Sequence, residues 1–466
     1  MNHTNQTARM KILVVAAGEP WPLDGGGRLH LYHVLSQLTR HTEVTLLLPR
    51  PSRYREQLPA ALRVITLPQH WGECTADPPS PASMPRVGKA SHSPAIPLIL
   101  RLVRRHFGHN KMLEAWLRRH ATRREFDVVM LNGAVMGQHV EACRVPVVWN
   151  PQDELILPTL RAAQYSPYAH WFSALKRSAL YAAYERYAAR KAAATIYVSR
   201  LDAVYARRCV GDARLEVVQN GVDFDAFAPV EEPPDPGSVT FIGSLEFPPN
   251  VDAISHFVAT AWPYIHAGDE RRRLRIVGRR PTAAVRALAE TPGVEVIPDV
   301  PDVRPYLARA SVVIVPIRTG GGLKNKVLEA CAMRRPVVAH PRALMGLSAR
   351  VGHDVLSASR PENMIRCVTR LLENPDHADR IARNGYTWVT RAHSWETTGQ
   401  RFLEILSSAA GAPIDLTVQP TDSQPSNSSS TTRFRATEPV TSENRSWNKP
   451  RAKAGSSEPI SSSASC

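Results

Sequence analysis

The chain lacks the cysteine spacing of a metal site or of a disulfide framework. Its six cysteines form no C-x-x-C pair and are scattered at Cys74, Cys143, Cys209, Cys331, Cys367 and Cys466. Scattered thiols of this kind fit neither structural zinc nor secretion, and they are typical of a reducing interior. We therefore expect no structural zinc site and a cytoplasmic protein.

Long apolar runs are also missing. No run approaches the ~20 residues that a membrane-spanning helix needs. The apolar segment Ile12–Ala17 is too short for a signal peptide and is predicted to be a strand. Any contact with a membrane is therefore expected to be peripheral, at its inner face.

Acidic residues are too few to balance the basic ones. The chain has 58 Lys and Arg against 42 Asp and Glu, which gives a formal net charge of +16. This charge favours anionic partners, but it does not choose among nucleic acid, acidic lipid and phosphorylated small molecules. Helix-turn-helix, zinc-finger and RRM signatures are absent, so we expect no nucleic-acid partner.

The rest of the composition is that of a globular protein with two or three domains. The chain has 466 residues, of which 43% are hydrophobic and 21% charged. A Pro-rich linker at 228–237 separates two series of alternating strand and helix patterns. We predict an α/β fold of two Rossmann-like domains, at residues 1–228 and 229–411. The composition predicts a mobile insertion at 73–97 and a disordered tail at 412–466.

The first series opens with a glycine-rich loop. A buried strand is predicted at Lys11–Ala17, and Gly25–Gly27 then lead into a helix. The glycines do not have the G-x-G-x-x-G spacing, so we expect no nicotinamide cofactor. Arg28 and His30 follow the glycines. They could bind an anion or lie near a reacting sugar, or they could be solvated residues at a helix end.

The stretch Thr319–Ala332, TGGGLKNKVLEACA, has the pattern of a phosphate-binding corner. It follows a predicted buried strand, and its three glycines allow the backbone to approach a ligand closely. A helix is predicted from about Leu323, with Lys324 and Lys326 near its positive N-terminal end. Glu329, one turn further, could accept hydrogen bonds from ribose hydroxyls. The alternative is an ordinary strand, turn and helix with a surface ion pair.

Two further stretches allow both a functional and a structural interpretation. Asn150, Asp153 and Glu154 follow a predicted strand at Val145–Trp149, where a carboxylate could orient or deprotonate a hydroxyl, or simply cap a helix. The segment Ile96–Arg124 interleaves leucines and aromatics with arginines. It could lie on an anionic membrane surface, or form ordinary helices whose arginines face water.

The order of these patterns resembles the retaining GT-B glycosyltransferases of the group 1 family. The segments are the first glycine-rich loop, NGVD, GSLEFPPNVDA, IVGRRP, VPDVRPYL and GGGLKNKVLEACAMRRPVVAH. The resemblance covers about Lys11 to Ser407 and is nearest to sugar transferases of bacterial exopolysaccharide pathways. G-x-K-N-K-V-L-E-A together with P-N-x-D-A is its most specific part.

This resemblance implies a hexosyl-type transferase that moves a sugar from a nucleoside-diphosphate donor to a hydroxyl of a lipid-linked or polysaccharide acceptor. The anomeric configuration would be retained without a metal or other cofactor. The parallel sheets would face a central cleft, with the acceptor on the first domain and the nucleotide-sugar on the second. The implied donor-binding residues are Gly26, Gly27, Arg279, Val300, Asp302, Gly321, Gly322, Leu323, Lys324, Lys326 and Glu329. The catalytic candidates are Asp153, Lys326 and Glu329.

The chain departs from the family pattern at two places. Gly321 stands where many members have the first of two glutamates, and backbone N–H groups of the glycine run could replace that carboxylate. The arginine and lysine often found after the first strand of the second domain are absent from GSLEFPPN. More of the phosphate contact would then depend on Lys324, Lys326 and Arg279. A non-catalytic GT-B subunit and a nucleotide-sugar epimerase remain alternative functions.

Overall fold

The computed structural model describes residues 9–23, 25–67, 97–152, 171–319 and 323–412. Nearly all of the predicted insertion and of the predicted tail lies outside these ranges. The described residues form two parallel sheets with helices on both faces, which confirms the predicted α/β fold class.

The first half of the chain contributes seven strands to one parallel sheet. They are β1 Lys11–Ala16, β2 Glu43–Leu48, β3 Arg63–Thr66, β4 Val128–Asn132, β5 Val147–Gln152, β6 Ala194–Tyr197 and β7 Leu215–Val217. Their order is β3-β2-β1-β4-β5-β6-β7. The direction of winding reverses between β1 and β4, and open α/β sheets bind ligands beyond the carboxyl ends of the strands at such a point.

Helices cover both faces of this sheet because its central strands are apolar on both sides. Ile12 and Val14 of β1 belong to one buried cluster, whereas Leu13 and Val15 belong to the cluster on the opposite face. The helices of the first half are α1 Gly26–His41, α2 Leu98–Phe107, α3 Lys111–His120, α4 Trp171–Lys191 and α5 Arg200–Val210, with 3-10 helices at Arg55–Gln57 and Ala134–Ala142.

The second half forms a six-stranded parallel sheet. Its strands are β8 Ser238–Ile242, β9 Arg273–Gly278, β10 Val294–Pro298, β11 Val312–Val315, β12 Val337–Ala339 and β13 Leu356–Ser357. The order is β10-β9-β8-β11-β12-β13, so winding reverses between β8 and β11. The helices after β7 are α6 Pro248–Thr260, α7 Trp262–Gly268, α8 Ala283–Ala287, α9 Arg304–Ala308, α10 Asn325–Ala332, α11 Pro361–Glu373, α12 Pro375–Ala392 and α13 Trp395–Ala410, with 3-10 helices at Leu288–Glu290 and Pro341–Ala343.

The last helix, α13, packs in the first half of the molecule. Phe402, Leu403 and Leu406 lie in the same buried cluster as Ile12 of β1 and Leu35 of α1. The predicted division at 228/229 assigned this segment to the second domain. The structure differs because the apolar face of α13 is buried against α1 and the first sheet.

The two places where the chain crosses between the halves lie side by side. Val222, after β7, forms a parallel bridge with Ser394, and its N–H donates to the carbonyl of His393 at 2.8 Å. A Cβ on Gly221 would lie 2.3 Å from the backbone nitrogen of Trp395, so only glycine fits there. The outgoing and returning segments are therefore packed together.

Candidate active site

The predicted phosphate corner lies after β11, on the β11 side of the switch point of the second sheet. Helix α10 begins at Asn325, and Lys324 is its N-cap residue, so the helix starts two residues later than expected at Leu323. Leu323, Lys324, Lys326 and Glu329 are all partly buried. The predicted site residues Gly321 and Gly322 lie outside the described residues.

Lys326 reaches from α10 across the switch point to the first turn of α6, the helix that follows β8. Its Nζ donates to Oδ1 of Asn250 at 2.9 Å and lies 4.7 Å from the ring centroid of Phe241. Asn250 is held in turn, because its Nδ2 donates to the carbonyl of Ser244 at 2.8 Å. The amine is therefore fixed between the first turns of α10 and α6, beyond the carboxyl ends of the central strands.

Gly243, the first residue after β8, makes room for this amine. A Cβ there would lie 2.8 Å from Nζ of Lys326 and 2.9 Å from Nδ2 of Asn250. Sequence reasoning did not assign Gly243 or Asn250 to the site. Both lie in the segment GSLEFPPNVDA, which carried the family resemblance without a role for either residue.

Burial brings the titrations of Lys326 and Glu329 close to neutral pH. It lowers the pKa of Lys326 to about 7, an effect that the carboxylate of Glu329 opposes and the charge of Lys324 reinforces. Burial likewise raises the pKa of Glu329 to about 7, and Lys326 opposes that shift. An anion bound at this corner would stabilise the charged ammonium form of Lys326.

The glycine loop of the first half lies against the beginning of α10. A Cβ on Gly26 would lie 3.8 Å from Nδ2 of Asn325. Nδ2 of Asn220, which precedes the outgoing crossing, donates to Oδ1 of Asn325 at 3.0 Å. The structure thus brings Gly26 to the same corner as Lys326. Direct contact of Gly26 with a donor stays a prediction.

The end of β5 packs against the same loop. A Cβ on Gly27 would lie 2.9 Å from Oε1 of Gln152, whose Nε2 donates to the carbonyl of Gly27 at 3.4 Å. Asn150 is fully buried and bonds to the side chains of its neighbours. The catalytic candidate Asp153 and its neighbour Glu154 follow immediately and lie outside the described residues, so their roles stay predictions.

The remaining residues predicted to bind the donor lie in the loops after β9 and β10. Val300 packs against a buried apolar cluster of the second half. Asp302 accepts hydrogen bonds from the backbone N–H and the Nε of Arg304 at 2.9 and 2.8 Å. Burial raises the pKa of Asp302, but these hydrogen bonds outweigh that effect and hold the pKa below its usual value. The carbonyl of Arg279 accepts from the N–H of Leu245 at 2.8 Å, which ties this loop to the one beside Lys326.

A cluster of metal-capable side chains lies elsewhere in the first half. Among the described residues, His109, Glu114 and His139 have ligand atoms within 4.8 Å of one another. Arg104 and Arg118 each donate to Glu114 at 2.7 Å and occupy both carboxylate oxygens. Burial raises the pKa of Glu114, but these guanidinium groups outweigh that effect and hold the pKa below its usual value. The cluster is explained by ion pairing.

Both halves of the chain match known sequence families of glycosyltransferases. Residues 24–226 match the sequence family described as Glycosyltransferase Family 4, and residues 236–374 match Glycosyl transferases group 1. The chain is 32% identical over 113 residues to glycosyltransferase 1 domain-containing protein 1 of Xenopus tropicalis. That match covers 23% of this chain and only 32% of the relative.

Solved structures show the same fold over most of the described chain. HepE from Anabaena, crystallised with UDP and glucose, is 16% identical with a TM-score of 0.58, over 86% of this chain and 100% of that one. Sucrose-phosphate synthase from Thermosynechococcus elongatus is 16% identical with a TM-score of 0.64, over 87% and 100%. WaaG, a glycosyltransferase involved in lipopolysaccharide biosynthesis, is 14% identical with a TM-score of 0.56, over 85% and 100%. The predicted GT-B fold is confirmed.

Proposed function

We propose, from the premise that this chain is built of two successive glycosyltransferase family domains, that it transfers a sugar from a nucleoside-diphosphate donor to an acceptor hydroxyl. One observation carries the proposal. The amine of Lys326 lies at the beginning of α10, fixed by Asn250, where Gly26 of the opposite half also arrives. A diphosphate between the two halves would meet both.

The chemistry of the transfer explains why a cation is needed at this position. The bond between the anomeric carbon and the diphosphate breaks, and a bond to the acceptor oxygen forms while the acceptor proton is lost. Negative charge then develops on the departing diphosphate. Lys326, Lys324 and the N–H groups of the first turn of α10 would stabilise it, as preorganised donors do in other active sites.

The finer features of the reaction are part of the same proposal. Glu329 would accept hydrogen bonds from the ribose, and Asp153 would orient or deprotonate the acceptor hydroxyl. Retention of configuration, independence from metal and a lipid-linked or polysaccharide acceptor follow from the family resemblance. HepE was crystallised with UDP-glucose, which makes UDP-hexoses the first donors to test.

The test combines ligand binding with turnover. Thermal shifts against UDP, GDP and ADP identify the base, because a ligand that binds only the native state raises its apparent stability. Release of nucleoside diphosphate from UDP-glucose and GDP-mannose is then followed with lipid or saccharide acceptors, with and without EDTA. We expect turnover to be lost in Lys326→Ala and Glu329→Ala and kept in the control Lys191→Ala, an exposed lysine on α4.

Other outcomes of this assay separate the alternatives. Wild-type rates in both site variants would overturn the assignment of the site. Nucleotide binding without turnover would indicate a non-catalytic GT-B subunit. Release of a free epimerised sugar without an acceptor would indicate an epimerase. Loss of activity in EDTA that added Mg²⁺ restores would contradict the metal-independent mechanism.

The proposal also includes peripheral contact with an anionic membrane on the cytoplasmic side. No helix in the described ranges is long and apolar enough to cross a bilayer. Leu98 and Leu102 of α2 are 71% and 46% exposed, and Leu175 of the adjacent α4 is 50% exposed. Arg101 and Arg105 lie on the exposed side of α2. An apolar patch beside basic residues is typical of a surface that binds acidic lipid.

Vesicle sedimentation tests this contact. We expect the wild-type protein to bind vesicles containing phosphatidylglycerol and to bind pure phosphatidylcholine vesicles only weakly. In the double variant Leu98→Glu/Leu102→Glu, we expect binding to phosphatidylglycerol vesicles to fall to the level seen with phosphatidylcholine. The matched control is Val351→Glu, because Val351 of the second half is 60% exposed and lies away from this patch in sequence. Equal binding of the two variants would refute the proposed surface.

A further inference from the structure

A line of buried polar side chains connects the first sheet to the predicted phosphate corner at the start of α10. Nδ2 of Asn150, at the end of β5, donates to Oδ1 of Asn132 at 2.9 Å and lies 3.1 Å from Nε2 of His30. Nδ1 of His30 lies 2.8 Å from Oδ1 of Asn220, whose Nδ2 donates to Oδ1 of Asn325. The line therefore ends at the first residue of α10.

The direction of these hydrogen bonds is determined by Asn150. Its side chain is fully buried, both neighbours contact the same amide atom, and the other amide atom has no partner among the described residues. With the NH₂ group facing His30 and Asn132, only a carbonyl oxygen is left unpaired. The opposite orientation would leave two buried N–H donors unpaired, which is the costlier defect.

This orientation fixes the proton of His30. Nε2 must accept from Asn150, so a neutral imidazole carries its hydrogen on Nδ1 and donates it to Asn220. Burial lowers the pKa of His30 to about 4, with the hydrogen bond to Asn220 opposing and the nearby His33 reinforcing the shift. Trp395 and Phe402 contact the ring at its edges. The ring is therefore held neutral in an apolar surrounding.

Asn220 can transmit this constraint because its backbone is rigid. Its carbonyl oxygen lies 3.0 Å from Nδ1 of His393. The following residue, Gly221, packs directly on the backbone of Ser394 and Trp395. A side chain mounted on this double crossing, and bonded at both amide atoms, can adopt few alternative positions.

We propose that His30 is a positioning residue for the sugar transfer: by donating from Nδ1 to Asn220, it keeps Asn325 and the start of α10 in register with the glycine loop of the first half. His30 lies on α1, the helix that begins within this glycine loop. The loop and the residue that positions α10 against it therefore belong to one element. The imidazole needs no contact with the donor. The inference rests on the proposed function for its kinetic consequence only.

The tautomer is tested without any activity. Long-range ¹H–¹⁵N correlation spectra of histidine-labelled full-length protein should show, between about pH 5 and 8, a neutral histidine with its proton on Nδ1 whose signals are missing in His30→Phe. His393, whose Nδ1 donates to the carbonyl of Asn220, has the same tautomer, and its signals should remain in that variant. A protonated imidazolium at this position, or a hydrogen on Nε2, would overturn the assigned direction of the line.

The kinetic test uses two histidines of the same helix. His30→Phe keeps the ring but removes both hydrogen bonds. His33→Phe is the matched control, because His33 is also buried and stacks on Trp395 at 4.5 Å. We expect kcat with UDP-glucose or GDP-mannose to fall about 10- to 100-fold in His30→Phe, since misplacement of about 1 Å has such effects. The Kd for UDP or GDP should stay within about threefold.

Two more variants separate positioning from a general loss of packing. Asn220→Asp still accepts from His30 but cannot donate to Asn325, so it should lose kcat like His30→Phe. His30→Asn places an amide N–H near the Nδ1 position and should recover part of the rate. The double variant His30→Phe/Asn325→Ala should be no slower than the slower single variant.

Contrary results are equally definite. A rate for His30→Phe within twofold of that for His33→Phe, or losses that multiply in the double variant, would refute the positioning role. If the wild-type protein turns over no donor, the proposed function fails instead. In that case the tautomer measurement still tests the hydrogen-bonded line.

Discussion

The amine of Lys326 and the side-chain oxygen of Asn250 are joined by a 2.9 Å hydrogen bond across the switch point of the second sheet. The two residues lie in the first turns of different helices, α10 and α6, and are 76 positions apart in the chain. The bond holds the amine of Lys326 in place at the start of α10 before any ligand arrives. Such preorganisation is what an electrostatic catalyst requires, because no reorganisation is then needed as the leaving group departs.

Donor binding should depend on pH through Lys326. Its pKa is about 7 in the ligand-free protein, so above that pH the amine must take up a proton to meet a diphosphate. From about pH 7 to 9, the association constant for UDP-glucose or GDP-mannose should fall by up to about tenfold per pH unit. Titration calorimetry in buffers of different ionisation enthalpy should show proton uptake.

Variants at two positions check the source of this dependence. Lys326→Arg, whose guanidinium stays protonated, should bind with little pH dependence over the same range. Glu329→Gln removes the charge that raises the pKa of Lys326, so the fall in affinity should begin at a lower pH. An unchanged midpoint in Glu329→Gln would show that the titrating group is not Lys326.

Gly243→Ala should impair activity while leaving the fold intact. The new Cβ would meet only the tips of the Lys326 and Asn250 side chains, at 2.8 and 2.9 Å, and these tips can move aside. The amine would then leave its position. We expect turnover to fall at least about tenfold, with the free energy of unfolding changed by less than about 1 kcal/mol.

Gly278→Ala is the contrasting substitution at the neighbouring strand. Its Cβ would lie 1.7 Å from the carbonyl oxygen of Gly243, which is backbone and cannot move aside cheaply. We expect destabilisation of at least about 3 kcal/mol, seen as a lower urea midpoint or as loss of soluble protein. Equal stability of the two alanine variants would contradict the packing described for these loops.

Removing the last helix should destabilise the opposite end of the sequence. Phe402 is fully buried in the apolar cluster that α13 shares with β1 and α1. Phe402→Ala should therefore lower the free energy of unfolding by about 3–5 kcal/mol. A chain that ends at residue 394 should expose the apolar face of α1, and hydrogen exchange should report faster exchange in α1 and β1. A chain ending at residue 412 keeps every described residue and serves as the control.

The central strands could be predicted from sequence because each contains a short run of mostly apolar, buried residues. The strand expected at Lys11–Ala17 is observed at Lys11–Ala16. The edge strands Arg63–Thr66 and Leu356–Ser357 were not predicted, because they are short and only partly buried. Helix α13 was also missed. The sheet against which it packs depends on a chain crossing, which no local pattern encodes.

The candidate site could be proposed from the sequence where its residue pattern is local. Lys326 and Glu329 lie on one helix after a glycine run, and the sequence shows that pattern directly. Asn250 and Gly243 join the candidate site only because the segments after β8 and β11 meet, which is a property of strand order. The role of His30 likewise depends on Asn220, 190 positions away.

The paired crossing segments also determine how the two halves can move. Because Val222 is bridged to Ser394, we expect the outgoing and returning segments to bend together, as one short hinge. Rotation about the line through this hinge changes the opening between Gly26 and Asn325 directly. Sliding of one half past the other would break the bridge. Entry of a donor and release of its product should therefore occur by opening and closing about a single axis.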